Sequence, residues 1–278
     1  MHRHEMRGAL HGLFRVRCFT QDDAHIFMRR EQIADEIVGV FNLIDEVYSR
    51  FGFKYSVELS TRPKDSMGSD EDWEAATKGL GWALEQLRLP YTINEGDGAF
   101  YGLKIDYHLE DSLGRTWQCG TIQLDFQLPQ NFGLEYIDEK GEKQRPIMIH
   151  RVCFGSIERF IGILTEHFAG KFPVWLAPTQ VKILTVSGKS ADYGREVYDA
   201  LRRAKIRCAL DTRNEEIGYL IREAQLIERV PYMIIVGQKE AEEKTISVRK
   251  QDTAKTETMM LGDFTDRLCF EIEHRKDI

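Results

Sequence analysis

The chain opens with His2-Arg3-His4-Glu5, passes through a glycine-containing stretch to Gly12, and continues as FRVRCFTQDDAHIF over 14–27. Arg3 and Glu5 lie two apart, so on a strand their side chains share a face. A loop and a second strand carrying Arg15 would make a hairpin whose face presents two cations, a geometry suited to a triphosphate. A polar hairpin with ordinary surface salt bridges fits the same residues. A second element, PIMIHRVCFGSIERFIGIL over 146–164, has a buried strand running into a helix through Gly155 and Ser156. Arg159 then falls in the first turn of that helix, where backbone donors and the dipole favour anions and a guanidinium can grip phosphate with two bonds. Taken alone, an exposed helix arginine fits it too.

These residues need elements to position them. Ile33, Ile37, Ile44, Val47 and Phe51 recur at helical spacing, as do Trp73, Ala76, Leu80, Ala83 and Leu87, which predicts two helices packed on a core. Strand patterns at 13–20, 53–60, 103–110, 115–127 and 146–152 are too close together for crossover helices and predict an antiparallel sheet, with a helix at 154–169 after the last. Pro173 and Pro178 break regular structure in FPVWLAPTQ (172–180), which marks a domain boundary. Beyond it, VKILTV, a helix near 191–204, IRCAL, a helix near 215–228, YMIIV, ISVRK and a final helix predict a compact α/β domain of about 100 residues. The fold class is α/β: an antiparallel sheet with helices over 1–172, then a small α/β domain over 178–278.

Bulk properties bound the function. At 278 residues, 42% hydrophobic and 30% charged, the chain is long enough for roughly two domains with real cores. No run approaches the about 18 apolar residues of a membrane helix, and MHRHEMRG lacks the apolar core of a signal peptide, so a cytoplasmic protein with no membrane partner is expected. Cys18, Cys119, Cys153, Cys208 and Cys269 are odd in number and lack CxxC spacing, which argues against a disulfide framework or an all-cysteine zinc site. The net charge of −7 is uneven: residues 178–278 hold 18 basic and 18 acidic side chains, so residues 1–177 carry the whole deficit. Any nucleic-acid contact must come from local patches rather than from bulk charge.

Together and in this order, HRHE-loop-FRVRCFTQDDAHIF and MIHRVCFGSIERFIGIL resemble the motifs of the threonyl-tRNA synthetase family. AFYGLKIDYHLEDSLGRTWQCGTIQLDFQLPQNF (99–132) is also similar to that family, and RNEEIGYLIREAQLIERVPYMIIVGQKE (213–240) resembles its anticodon-binding domain. The resemblance covers nearly all of 1–278. It implies a class II catalytic core followed by an anticodon-binding domain. The implied activity is ATP-dependent activation of threonine and its transfer to tRNA(Thr).

Carried over residue by residue, the resemblance gives Arg3 the α-phosphate and the threonyl carboxylate, Glu5 a place near the adenine, Arg15 and Arg159 the terminal phosphates, and Phe19 the adenine ring. Gln118 and Thr121 would contribute to the nucleotide pocket, and Mg2+ would bridge the phosphates. Fixed guanidinium groups suit this chemistry, because attack of a carboxylate on the α-phosphate builds negative charge on a pentavalent centre. The family selects threonine with Zn2+, which takes both the amino group and the hydroxyl, and isosteric valine cannot meet that demand. His25 and His150 match its two histidine ligands. Gln21, Asp23, Tyr101 and Gln123 would hold the amino group and side chain of threonine. Asn214, Arg229, Glu240 and Arg249 match positions used around the anticodon, where a polar sheet face suits splayed bases.

The resemblance also sets departures. The family's cysteine ligand and the motif of its homodimer interface lie upstream of HRxE, ahead of Met1, and none of the five cysteines is the counterpart of that ligand. An editing domain would precede both. Leu103 stands where AFYGxKID usually has proline. The expectation is therefore a zinc site without its thiolate in a chain lacking the dimer motif. A non-catalytic tRNA-binding or regulatory fragment, or one half of a split enzyme, remains open beside the ligase reading.

Overall fold

A computed structural model describes residues 1–275. By its internal contacts the chain divides into two compact units, Met1–His167 and Phe168 onward. The first unit contains strands β1 Ala24–Met28, β2 Tyr55–Ser60, β3 Tyr91–Asn94, β4 Lys104–Glu110, β5 Thr116–Asp125, β6 Tyr136–Ile137, β7 Lys143–Gln144 and β8 Ile147–Val152. Its helices are α1 Ile33–Arg50, α2 Asp70–Leu87, α3 Gln127–Asn131 and α4 Ile157–His167. Six strands form one sheet in the order β1-β8-β5-β4-β2-β3, antiparallel throughout except for the parallel β2–β3 edge.

The helical spacing places Ile33, Ile37 and Ile44 of α1 and Trp73, Ala76, Leu80 and Ala83 of α2 in the core, while Val47, Phe51 and Leu87 are half-buried. Each fully buried Ile or Leu side chain contributes about 2 kcal/mol of transfer free energy. The two helices pack on one another. Tyr48 of α1 lies edge-on to Tyr107 of β4, and its hydroxyl donates to the Cys153 carbonyl at 2.6 Å, so helix, sheet and the turn before α4 are joined at one point.

Residues 13–20 are not a regular strand. Arg3 N–H donates to Arg17 O and Phe19 N–H to Met1 O, but only isolated bridges form, at His2–Cys18 and His11–Arg15. The short opening segment is the sole pairing partner described for FRVRCF, so the hydrogen bonds never accumulate into a continuous ladder. The regular strand comes later, as β1, antiparallel to β8.

The second unit contains β9 Val181–Thr185, α5 Ala191–Arg203, β10 Cys208–Asp211, α6 Ile217–Arg222, β11 Tyr232–Val236, α7 Gln238–Glu243, β12 Thr245–Lys250, β13 Thr256–Met260 and α8 Leu261–His274. Its sheet runs β10-β9-β11-β12-β13, parallel over the first three strands and antiparallel over the rest. Val181, Ile183, Val197, Leu201, Ile234, Phe264 and Leu268 are fully buried in its core. The helix expected near 215–228 is α6 followed by a π-helical turn at Glu223–Ile227, which accommodates one extra residue and shifts the side chains beyond it around the axis. Among the described residues, no helix is long and apolar enough to cross a membrane.

Candidate functional site

Arg3, Glu5, Arg15, Phe19, Gln118, Thr121 and Arg159 line one cavity of about 130 Å³, together with Gln21 and Gln123. Gln118 and Thr121 are three apart on β5, and strict alternation would put them on opposite faces. A β-bulge resolves this: Thr121 pairs with Asp106 and Gln118 with His108, so the register slips at Cys119–Gly120 and Gln118 joins Thr121 and Gln123 at the cavity. Two glycines permit the crowding behind the bulge. A Cβ on Gly120 would lie 2.7 Å from the Tyr48 hydroxyl, and one on Gly155, at φ +73°, would lie 2.7 Å from Cys119 O.

The cavity is cationic although its unit is acidic overall. Glu5 is the one carboxylate among the lining residues, and it accepts Arg15 Nε at 3.1 Å. Arg159 donates from Nε to Phe14 O at 2.8 Å and from Nη1 to Gln118 O at 3.0 Å. Burial first, with the Arg15 and Arg3 guanidiniums adding to it, holds Arg159 below the usual arginine value. Cations that disfavour each other across a small space form a site that a polyanion would relieve. Arg3 lies 5.3 Å from the centroid of the Phe19 ring, so in this structure the face assigned to adenine carries a guanidinium.

A second group adjoins the cavity through Gln123. His25 on β1 lies directly opposite His150 on β8, with ring centroids 4.7 Å apart. Ligating atoms of Asp23, His25 and His150 lie within 4.8 Å of one another, and two imidazoles with a carboxylate suit a borderline divalent cation. His150 Nε2 is 2.9 Å from Asp125 Oδ2, which orients the ring and leaves Nδ1 for a ligand. Tyr101 donates to Gln123 Oε1, and its ring is 5.6 Å from that of His150. Burial, then Asp125 and Asp23, push the Tyr101 hydroxyl above its usual value, so it stays a donor. Gln21 is bridged to Ser156. All the residues expected to hold threonine therefore gather beside the arginine-lined cavity. A further acidic group, Glu58, Asp97 and Asp106, contains Lys104, whose Nζ is 3.0 Å from Asp97 and 2.8 Å from Asp106, and this internal cation accounts for its charge.

Several residues that order this region escaped the sequence reading. Asp22 accepts the N–H groups of Cys153 and Phe154 at 2.8 and 3.0 Å, tying the segment before β1 to the turn before α4. Glu158 accepts Thr20 N–H with both oxygens. Asp106 accepts Gln118 Nε2 at 2.6 Å, which holds the amide in place. Asp125 had a signal, since it lies two positions after Gln123 and so on the same strand face. Asp22, Glu158 and Asp106 act across long sequence separations that spacing cannot show.

The second unit does not gather its expected residues into one cluster. Asn214 is exposed after β10, and Arg229 stands at φ +53° against Gly170. Glu240 accepts Gly237 N–H and Ser247 Oγ, which caps α7, while Arg249 donates to Gln225 at 3.2 Å. No described hydrogen bond joins these four residues to one another.

The tRNA synthetase class II core domain (G, H, P, S and T) matches residues 1–168, and the anticodon binding domain matches residues 180–269. The RNA binding domain of threonyl-tRNA synthetase from Cryptosporidium parvum Iowa II superposes with a TM-score of 0.88 at 41% identity, covering 96% of this chain and 67% of that one. The chain belongs to the threonyl-tRNA synthetase family. The threonine-tRNA ligase of Clostridioides difficile (strain 630) is 64% identical over 278 residues, covering 100% of this chain and 43% of the relative. That of Clostridium tetani (strain Massachusetts / E88) is 62% identical over 275 residues, again 43% of the relative. The chain thus spans less than half the length of these curated threonine-tRNA ligases. A putative threonyl-tRNA synthetase from Aeropyrum pernix gives a TM-score of 0.76 at 31% identity, covering 98% of this chain and 66% of that one.

Proposed function

We propose that this chain carries the threonine-activating core and the anticodon-reading domain of a cytoplasmic threonine-tRNA ligase, with residues 1–172 as the core and 178–278 as the anticodon-binding domain. The observation that carries this reading is the meeting of Arg3, Arg15 and Arg159 in one cavity beside the Asp23, His25 and His150 group. ATP with Mg2+ would lie in the cavity. Arg3 takes the α-phosphate and the threonyl carboxylate, Arg15 and Arg159 take the terminal phosphates, and Glu5, Phe19, Gln118 and Thr121 serve the nucleoside. The chemistry asks for no protein nucleophile, only for fixed positive charge where negative charge develops.

His25 and His150 would hold Zn2+, with Asp125 orienting His150, and Asp23 is placed either to join the ligands or to receive the threonine amino group. Bound zinc would supply recognition of the threonine amino and hydroxyl groups together. Gln21, Tyr101 and Gln123 then shape the space for the side chain. In the second unit Asn214, Arg229, Glu240 and Arg249 would serve the anticodon of tRNA(Thr).

Threonine-dependent ATP–pyrophosphate exchange tests the reading. Arg159→Ala should lower exchange by about 100-fold, the loss expected when one group stabilising transition-state charge is removed. Undiminished exchange in that variant would remove Arg159, and with it the phosphate assignment of the cavity.

A further inference from the structure

Arg159 needs a support that its own helix does not supply. Two of the five N–H donors of its guanidinium are used, Nε on Phe14 O and one on Nη1 on Gln118 O, which leaves three for a ligand. Both acceptors are backbone carbonyls, and together they set the reach of the group. The remaining support is the face of Trp117 of β5, whose ring centroid is 5.6 Å from Arg159 Cζ.

Trp117 is itself anchored. Its indole N–H donates to Asp111 Oδ2 at 2.8 Å, and the Asp111 side chain is wholly buried. Burial alone would raise the Asp111 carboxyl, but hydrogen bonds from Trp117, Arg115 and Leu113 outweigh it and bring its pKa down to about 2, so it remains an ionised acceptor. Arg115 approaches the same ring, with Cζ 5.5 Å from its centroid, and is neutralised by Asp111 at 2.6 Å and Glu166 at 3.3 Å. It can therefore grip the indole without adding net positive potential to the cavity. Phe14 packs on the indole at 4.9 Å between centroids, and the site a Cβ would take on Gly162 of α4 lies 3.1 Å from its ring.

We propose that Trp117, pinned by Asp111, is a positioning residue that holds the Arg159 guanidinium toward the terminal phosphates of ATP. The inference rests on the proposed function, since it takes Arg159 as a phosphate ligand. It adds a residue whose side chain touches no part of the nucleotide and acts only through the arginine. A cation over an indole that is shielded from water is held appreciably more firmly than an exposed one.

The test is calorimetric titration of the chain with Mg–ATP and, separately, with AMP, which lacks the terminal phosphates. Trp117→Leu should weaken ATP by about 10-fold and leave AMP unchanged. Trp117→Phe keeps an aromatic face and covers the case in which the aliphatic variant does not fold; it should weaken ATP by about threefold, again sparing AMP. In an Arg159→Ala background, Trp117→Phe should cost nothing further, because the support has nothing left to support. Equal weakening of ATP and AMP, unchanged ATP affinity in the variants, or additive losses in the double variant would each overturn the inference. Failure of the underlying reading looks different: Arg159→Ala alone would then leave ATP affinity intact.

Discussion

The two units treat charge in opposite ways. In the first, which carries the whole net negative charge in its share of the sequence, three arginines face one small cavity with a single carboxylate among them. In the second, which is balanced in composition, charges are matched in place. Buried Lys182 meets Asp211 at 3.4 Å and also Glu228, and Arg213 bridges Asp211 and Glu223. Bulk charge therefore points away from the arginine-lined cavity. What marks a site is local mismatch, because a fold that leaves like charges together gives up stability for readiness to bind, whereas a matched network serves the scaffold.

The largest expected effect breaks the matched side. Asp211→Ala leaves Lys182, 6% exposed, with only Glu228 to balance it, and should destabilise the second unit by about 3 kcal/mol in denaturant unfolding. A loss below about 1 kcal/mol would show that the network is surface decoration.

Acid comes next and should treat both units alike. The Asp211 carboxyl is held at about 2 from an ordinary 3.8 by Arg213 against the opposing effect of burial, and Asp111 of the first unit is held equally low. Both folded values are depressed, so their stabilisation is present above the unfolded value and is lost as pH falls from about 4 toward 2, at about 2 kcal/mol each. Thermal unfolding across that window should steepen accordingly. Asp111→Asn and Asp211→Asn should each flatten the slope for their own unit, and an unaltered slope would count against these partners.

The smallest effect isolates the mismatched side. Arg3 is exposed and bonded to its surroundings chiefly through the Phe19 face, so Arg3→Gln should leave the unfolding midpoint unchanged within about 0.5 kcal/mol. Its ATP affinity should nevertheless fall by about 10-fold, the worth of one charge-assisted bond. Parallel loss of stability and affinity would erase the distinction between the units.

Much of this was legible in sequence wherever periodicity reflects burial. The faces of α1 and α2 report a core that one side of each helix must enter, and the apolar runs of β2, β4, β5 and β8 mark strands buried along much of their length. Tyr91–Asn94 and Thr256–Met260 are exposed along nearly their whole length, so their strands carried no such signal. Gathering Gln118 with Thr121 required a bulge, and bulges are set by the close packing of Gly120 and Gly155 rather than by any local pattern. Arg3, Arg15 and Arg159 line one cavity although they lie far apart in the sequence, a meeting that spacing alone does not show. Their supports Asp22 and Asp106 are fixed by neighbours distant in the chain, whereas Trp117 is held by Asp111 and Arg115 close by as well as by Phe14 and Arg159 from afar.

That distance has a consequence for how the molecule is made. Ala24 pairs with Arg151, Thr20 O accepts Ile157 N–H, and Phe14 O awaits Arg159, 145 residues further along. Contacts of such span close late, after the local helices and hairpins have formed. During synthesis the opening hairpin leaves the ribosome well before its partners exist. Until α4 emerges it must remain an arginine-rich ribbon without its long-range partners, and only then can the arginine-lined cavity close around it.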